Sequence, residues 1–188
     1  MNEIEIEFKN LLSKQQYNQL KHHWFNHQQP IRQTNYYFET DDFQLKQHDA
    51  ALRIREKNHN YIATLKQPHE DGLLETHDAL THEEAYKWFH DNVQIKENIL
   101  THLKQMKIDV NQIHFKGSLT THRLEKRVND FNVVLDYSEY HHTEDYELEV
   151  EAPSYQQGKT FFKELLERYN IQPQPTKNKI QRFFESLS

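Results

Sequence analysis

Carboxylates and basic side chains recur in this chain at every second residue, in short runs that alternate with apolar side chains. Glu3, Glu5, Glu7 and Lys9 are spaced two apart around Ile4, Ile6 and Phe8. Arg53 and Arg55 alternate with Leu52 and Ile54, and Thr64 and Lys66 with Ala63 and Leu65. Arg123 lies two residues before Glu125, Asp136 follows Leu135, and Glu147, Glu149 and Glu151 alternate with Leu148 and Val150. Glu75 stands between Leu74 and a polar stretch. Side chains two apart on a strand share a face, so each run places its charges on one face and its apolar groups on the other. Carboxylate oxygens are ligands for hard divalent cations. Arginine presents a planar fork that binds phosphate oxygens in pairs, and lysine adds a point charge.

Any one run reads equally as an amphipathic strand with a solvated side. Solvated faces usually mix Lys, Glu, Thr, Ser and Gln, whereas one strand here offers two arginines and another three carboxylates. Like charges two apart repel unless counter-ions or a ligand compensate. Acidic strands near basic ones therefore suggest a cavity that takes a metal and an anion together. Other candidates are weaker. His23 and His27 are four apart on a predicted helix, with no third ligand in view, and His141-His142 falls in a predicted loop. Trp24 and Trp88 lie in apolar company, which favours core packing over stacking on a ligand. The absence of cysteine excludes disulfides, thiolate catalysis and zinc–thiolate sites.

The elements that must position these groups follow from period and punctuation. Residues 2–10 alternate strictly and predict a first strand. Ser13 and Gln16 form a capping box that opens a helix carrying Leu20 and Trp24. Strands are predicted over 33–40, 51–57, 61–67 and 73–78, with a hairpin turn at Asn58-His59-Asn60 and a looser loop from Pro68 to Gly72. Thr81 and Glu84 cap a helix with Ala85, Trp88 and Phe89, and a further helix covers 97–106. Strands return over 118–128, 132–140 and 146–152, with a turn at Asn129-Asp130. Ser154 and Gln157 start a helix with Phe161, Phe162, Leu165 and Leu166, and a last helix covers 178–184. About eight strands with helices between and after them give an α+β class with a large antiparallel sheet. If that sheet closes into a barrel, its interior holds side chains or one small ligand. Charged faces would then line the lumen, with apolar faces under helices packed outside.

The 188 residues suit a single domain, 1–188. A net charge of −6 argues against a nucleic-acid partner, so any polyanion site must be a local concentration of Lys and Arg. Three glycines and five prolines leave no Gly-rich phosphate loop. The start of the chain lacks a basic-then-apolar signal pattern, and no apolar run approaches the roughly 20 residues of a membrane span. A cytoplasmic protein with no membrane partner is the expectation, as monomer or homodimer.

In order along the chain these residues resemble the CYTH domain, or triphosphate tunnel metalloenzyme, superfamily. Glu5-Ile6-Glu7-Phe8-Lys9 is similar to its opening ExExK motif, Leu52-Arg53-Ile54-Arg55 to its LRxR strand, and Thr64-Leu65-Lys66 to its TxK strand. Leu135-Asp136 and Tyr146 to Glu151 resemble its D…ExE pair, and Asn178-Lys179-Ile180-Gln181-Arg182 its C-terminal SKxxR element. The resemblance implies a closed eight-stranded antiparallel β-barrel, a tunnel open at both ends. It also implies Mg²⁺ or Mn²⁺ on carboxylates and a small-molecule triphosphate or nucleotide on basic groups. Members include inorganic triphosphatases, thiamine-triphosphatases and class IV adenylate cyclases. Carried over residue by residue, the metal ligands would be Glu5, Glu7, Asp136 and two of Glu147, Glu149 and Glu151, with Glu147 and Glu149 favoured. Glu75 would join the acidic lining. Glu5, Glu7, Asp136 and Glu149 would carry catalysis, and Lys9, Arg53, Arg55, Lys66, Arg123 and Lys179 would grip phosphate. Hydrolysis of inorganic triphosphate, releasing orthophosphate, is the favoured activity. One departure stands out: the family's Lys-x-Arg reads Thr121-x-Arg123 here, unless Arg127 marks the register. A non-catalytic polyphosphate- or nucleotide-binding module is therefore an alternative, beside a cyclase and a thiamine-triphosphatase.

Overall fold

The structure, a computed structural model, describes residues 2–187. In chain order its elements are β1 (Asn2–Glu5), β2 (Glu7–Leu12), α1 (Lys14–Trp24), β3 (Ile31–Thr40), α2 (Gln44–Gln47), β4 (Ala51–Lys57), β5 (Asn60–His69) and β6 (Gly72–Leu80). There follow α3 (His82–Phe89), α4 (Glu97–Gln105), β7 (Ile113–Val128), β8 (Phe131–Tyr140), β9 (Thr143–Glu151), α5 (Tyr155–Arg168) and α6 (Lys179–Glu185). The class is α+β, as expected, and the strands pair in the order β1-β6-β5-β4-β3-β7-β8-β9-β2.

The sheet has nine strands where eight were expected, because the predicted first strand is divided in two. Ile6 interrupts it: the Ile6 carbonyl accepts a hydrogen bond from Ala152 N, past the end of β9. Residues before Ile6 pair with β6 and those after it with β9, so β1 and β2 are the two ends of the strand order.

The chain divides into two compact units, each discontinuous in sequence. Unit 1 is the chain up to Ile4 with Gln33–Leu119, and unit 2 is Glu5–Arg32 with Thr120–Ser188. In unit 1, Leu52, Ile54, Ala63 and Leu65 of β4 and β5 are buried with Ala85 and Trp88 of α3 and Ile99 and Leu103 of α4. Phe38 meets Trp88 edge to face, with ring centroids 5.2 Å apart. Thr81 caps α3 through a reciprocal pair with Glu84, as its sequence predicts. Asn58 and His59 both take positive φ (52° and 62°), the backbone a two-residue hairpin requires.

Two details of unit 1 differ from expectation. The segment Pro68–Gly72 is not a loose loop: Pro68 pairs with Leu73 and His69 with Gly72, leaving a two-residue turn. The β4 ladder ends at Lys66, so Pro68, which has no amide hydrogen, lies where that side needs none. The short helix α2 has no period to betray it. Buried Glu39 organises it by accepting from the Leu45 and Lys46 amides at 3.0 Å each.

In unit 2, Leu12, Tyr17, Leu20, Leu135, Leu148, Val150, Leu165 and Leu166 form the core between β2, β8 and β9 and the helices α1 and α5. Ser13 and Ser154 cap those helices. Helix α5 lies close on the sheet at Gly158, where an added Cβ would overlap the Phe8 ring and sit 2.6 Å from Ala152 Cβ. Gly158→Ala is therefore expected to lower stability by about 1–3 kcal/mol through overpacking, despite the roughly 1 kcal/mol that alanine gains in a helix. Urea denaturation checks the sign, and a stabilised variant would refute the close approach. Among the described residues no helix is long and apolar enough to cross a membrane.

Candidate functional site

Within each unit the sheet keeps the predicted alternation. The faces opposite the helix-covered cores carry the charged groups, and strand register sets who meets whom.

In unit 1, Arg53 is directly across from Thr64, Thr64 from His77, and Lys66 from Glu75. Glu75 is the buried acid of this group. Its Oε1 lies 3.3 Å from Lys66 Nζ and 3.8 Å from Arg53 Nη2, and its Oε2 3.5 Å from His77 Nε2. His77 Nε2 also reaches Glu3 Oε1 at 3.1 Å, while its Nδ1 is 2.9 Å from Thr64 Oγ1. Arg55 donates from Nε to Asn35 Oδ1 at 3.0 Å. Arg53 Nε is buried with no hydrogen-bond partner. A buried donor of that kind is costly unless an acceptor arrives, and an anion is the acceptor that suits a guanidinium.

Burial alone would raise the Glu75 carboxyl, but Arg53, Lys66 and His77 outweigh it and hold the group down at about 2. A folded value below the unfolded one contributes stability above pH 4.5, lost as pH falls towards 2. Glu75→Gln is expected to flatten the acid limb of stability between about pH 5 and 2, by at most about 3 kcal/mol. Urea denaturation of chelator-treated protein across that range measures it, and parallel curves would remove Glu75 from the acid response.

In unit 2, register aligns Arg123 on β7, Asp136 on β8 and Glu147 on β9 in one row across three strands. Glu149 lies opposite Lys9 and Glu151 opposite Glu7 in the next rows. Arg123 grips Asp136 with both prongs, Nε–Oδ1 2.9 Å and Nη2–Oδ2 2.7 Å, and reaches Glu149 Oε2 at 2.9 Å. Lys179, at the start of α6, donates its ammonium to Asp136 (2.8 Å), Glu149 (2.7 Å) and Glu147. Arg182, one turn on, binds Asp145 Oδ2 at 2.9 Å and Glu147 Oε2 at 2.7 Å. Lys9 pairs with Glu7 at 2.7 Å, and Glu151 accepts from Asn132 at 2.9 Å. Glu5 closes β1 and is half-buried.

Asp136 and Glu147 are fully buried and Glu149 nearly so. Burial pushes the Glu147 carboxyl up to about 7, against the pull of Lys179 and Arg182. For Glu149 and Asp136 burial works the same way, but the neighbouring cations win: Lys179 and then Arg123 hold Glu149 well below the usual range, and Arg123 and then Lys179 hold Asp136 down. The same carboxylates raise Lys179 well above its ordinary value, although burial alone would lower it. Four carboxylates (Asp136, Asp145, Glu147, Glu149) thus meet three cations, Arg123, Lys179 and Arg182. One ligand atom each from Asp136, Glu147 and Glu149 lies within 4.8 Å of the others. An all-oxygen set of this kind, short of positive charge, fits a hard divalent cation such as Mg²⁺ or Mn²⁺.

Several sequence expectations can be placed. Of the three alternating glutamates, Glu147 and Glu149 join Asp136, while Glu151 stands outside that group. Arg123 faces Asp136 and Glu149, whereas Arg127 is exposed and bonds Asn129 O. Thr121 is buried against Ser138, their hydroxyls 3.1 Å apart. Arg123 and Lys179 engage carboxylates, and Arg53, Arg55 and Lys66 remain the basic group of unit 1. Trp88 is buried in the core and bonds Gln94 O at 3.2 Å. His23 is exposed and packs on Tyr169, and His141 bonds Ser186. Sequence reasoning passed over Asn35, His77 and Asp145, and gave no separate role to Arg182, the last residue of the SKxxR match. His77 and Asp145 share the strand parity of Glu75 and Glu147, and Arg182 follows Lys179 by three on a helix, a spacing that shares a face.

A family model of the CYTH domain matches residues 3–184. The provisional triphosphatase YjbK of Bacillus subtilis (strain 168) is 43% identical over 185 residues, spanning 97% of this chain and 95% of that protein. A solved structure from Bacillus halodurans, described as a provisional adenylate cyclase, is 41% identical with a TM-score of 0.93 over 97% of this chain and 98% of that one. HpAC1 from Hippeastrum, described with a dominant triphosphatase activity, shares the fold at 20% identity and a TM-score of 0.80, covering 97% and 96%. With the family model spanning nearly the whole chain, and relatives above 40% identity on both counts, the chain belongs to the CYTH domain family.

Proposed function

We propose that the protein is a divalent-cation-dependent triphosphatase that releases orthophosphate from a triphosphate-containing small molecule, inorganic triphosphate first. The observation that carries this is the basic group of unit 1. In a chain of net charge −6, Arg53, Arg55 and Lys66 share one sheet face, with Arg53 Nε buried and open to an acceptor. A chain of phosphates needs matched cations wherever it is buried, and phosphoryl transfer needs positioning and charge stabilisation more than covalent help.

In this reading Arg53, Arg55 and Lys66 hold the non-bridging oxygens and stabilise the departing diphosphate. Asp136, Glu147 and Glu149 would hold the cation, with Glu5, Glu7 and Glu151 as further acidic groups of unit 2, and Glu75 would be the acid of the unit 1 face. When bound, the cation would supply positive charge for phosphate chemistry. Arg123 and Lys179 keep Asp136 and Glu149 ionised, and so ready to serve as ligands. Water attacks the terminal phosphorus, the bridging P–O bond breaks, and the water's proton leaves with the products.

YjbK supports a hydrolase, and the cyclase description of the Bacillus halodurans structure supports a second reading, conversion of ATP to cyclic AMP and diphosphate. Chelator-treated protein supplied with Mg²⁺ or Mn²⁺ and with tripolyphosphate, thiamine triphosphate, ATP or GTP separates them. Orthophosphate from tripolyphosphate is the expected product. Cyclic nucleotide from ATP without orthophosphate would establish the cyclase instead. Binding of every triphosphate without turnover would make the protein a binding module, consistent with Thr121 in place of lysine.

A further inference from the structure

We propose that the Lys179 ammonium is a placeholder in unit 2, seated on the carboxylate oxygens that a divalent cation takes and exchanged for that cation on binding. The proposal rests on the reading of Asp136, Glu147 and Glu149 as cation ligands, and adds the side chain that must leave. One oxygen of each carboxylate converges on Lys179 Nζ: Asp136 Oδ2 at 2.8 Å, Glu149 Oε1 at 2.7 Å, and Glu147 Oε1. An ammonium has three N–H donors and no acceptor, so three carboxylate oxygens satisfy it in full. The other oxygens of the same groups are held by arginines. Arg123 takes Asp136 Oδ1 and Glu149 Oε2 at 2.9 Å each and shares Asp136 Oδ2 at 2.7 Å, and Arg182 takes Glu147 Oε2 at 2.7 Å.

The work is thus divided. The arginines orient the carboxylates, and Lys179 alone fills the point where their remaining oxygens meet. Those three residues are also the set whose ligand atoms lie within 4.8 Å of one another. A hard cation draws its oxygen ligands to roughly 2.0–2.6 Å, so it and an ammonium cannot share one set of three oxygens. Lys179 is the first residue of α6, and its charge sits on a flexible four-carbon stem. The rest of α6 is anchored elsewhere: Arg182 binds Asp145 Oδ2 at 2.9 Å, and Phe183 is fully buried. Exchange therefore needs the rotation of one side chain, with the helix left in place. Before the cation arrives, the ammonium holds three like charges together with their oxygens already converged. It also weakens cation binding, because only the fraction of molecules with Lys179 withdrawn is competent.

The test uses the full chain, stripped with chelator and titrated with Mg²⁺, followed by calorimetry and by ¹H–¹⁵N spectra of the lysine ammonium groups. Expected in the stripped chain is a slowly exchanging Lys179 ammonium signal, assigned by its loss in Lys179→Met, that is lost as Mg²⁺ saturates. Lys179→Met should bind Mg²⁺ at least about 10-fold more tightly, because the competing ammonium is gone. Arg182→Met also takes a positive charge from Glu147 but leaves Lys179 on the three oxygens, so it should gain less. Glu149→Gln should weaken Mg²⁺ binding, which ties the bound ion to this set. A Lys179 signal unmoved at saturating Mg²⁺, or equal gains in Lys179→Met and Arg182→Met, would overturn the exchange and leave the cation set standing. Mg²⁺ binding that is indifferent to Glu149→Gln, or absent from both the unaltered chain and Lys179→Met, would overturn the cation set and the exchange with it. The ammonium signal is read on the unaltered chain, so the proposal stays testable if Lys179→Met folds poorly.

Discussion

Arg53→Ala is expected to reduce kcat/KM for tripolyphosphate by about 10³-fold, the usual worth of an arginine that meets charge developing on a transferred phosphoryl group. Arg53 occupies the middle of the unit 1 face, with Thr64 across the ladder and Glu75 Oε1 3.8 Å from its Nη2. That ion pair is too long to be a strong hydrogen bond, and the buried Nε has no partner at all. The guanidinium is therefore held in place but not consumed by the protein. Arg53→Lys keeps the charge and loses the fork, so it should remain at least about 10-fold below the unaltered chain. Steady-state phosphate release with Mg²⁺ and Mn²⁺ measures both variants, with circular dichroism as the folding control. An Arg53→Ala protein that is folded and retains its full rate would remove the basic face of unit 1 from the chemistry.

Arg123→Met should have its largest effect on stability, with a loss of about 3–5 kcal/mol in urea denaturation. The substitution strips Asp136, which has no exposed surface, of its bidentate partner and takes a cation from Glu149. An uncompensated buried carboxylate is far costlier than the pair is worth, because breaking a pair leaves the desolvation penalty of the survivor unpaid. Arg123→Met combined with Asp136→Leu should therefore recover more than half of the loss, since apolar groups of similar size can replace a buried pair at little cost. A double variant no more stable than Arg123→Met would show that Asp136 owes its burial to Lys179 rather than Arg123.

The faces of the strands were legible because a strand has a period of two. Leu52 and Ile54 are buried where Arg53 and Arg55 are not, and Leu148 and Val150 lie in the core opposite Glu147 and Glu149. Caps were equally legible at Ser13, Thr81 and Ser154, because their donors and acceptors lie within three residues. The break at Ile6 was not, since Glu3 to Lys9 alternates without interruption and only a change of pairing partner divides it. Proline misled at Pro68, where the missing amide hydrogen matters only if a strand lies on that side. His77 was passed over because a lone histidine in a polar stretch carries no signal until Thr64 is placed across from it.

Carboxylates and guanidiniums on alternating positions, and the strands and helices that carry them, were thus determined by the sequence alone. Parity and capping are local properties, set by a few neighbouring bonds. Which charges meet was decided by the tertiary structure. The row Arg123–Asp136–Glu147, the insertion of Lys179 into three carboxylates and the pairing of His77 with Glu3 and Glu75 depend on register between strands distant in sequence, and on α6 returning to the sheet of unit 2. Burial then turns those meetings into chemistry. Inside a medium that screens charge poorly, burial pushes the Glu147 carboxyl up, while Lys179 and Arg123 hold Glu149, two residues away on the same strand, well below the usual carboxylate range.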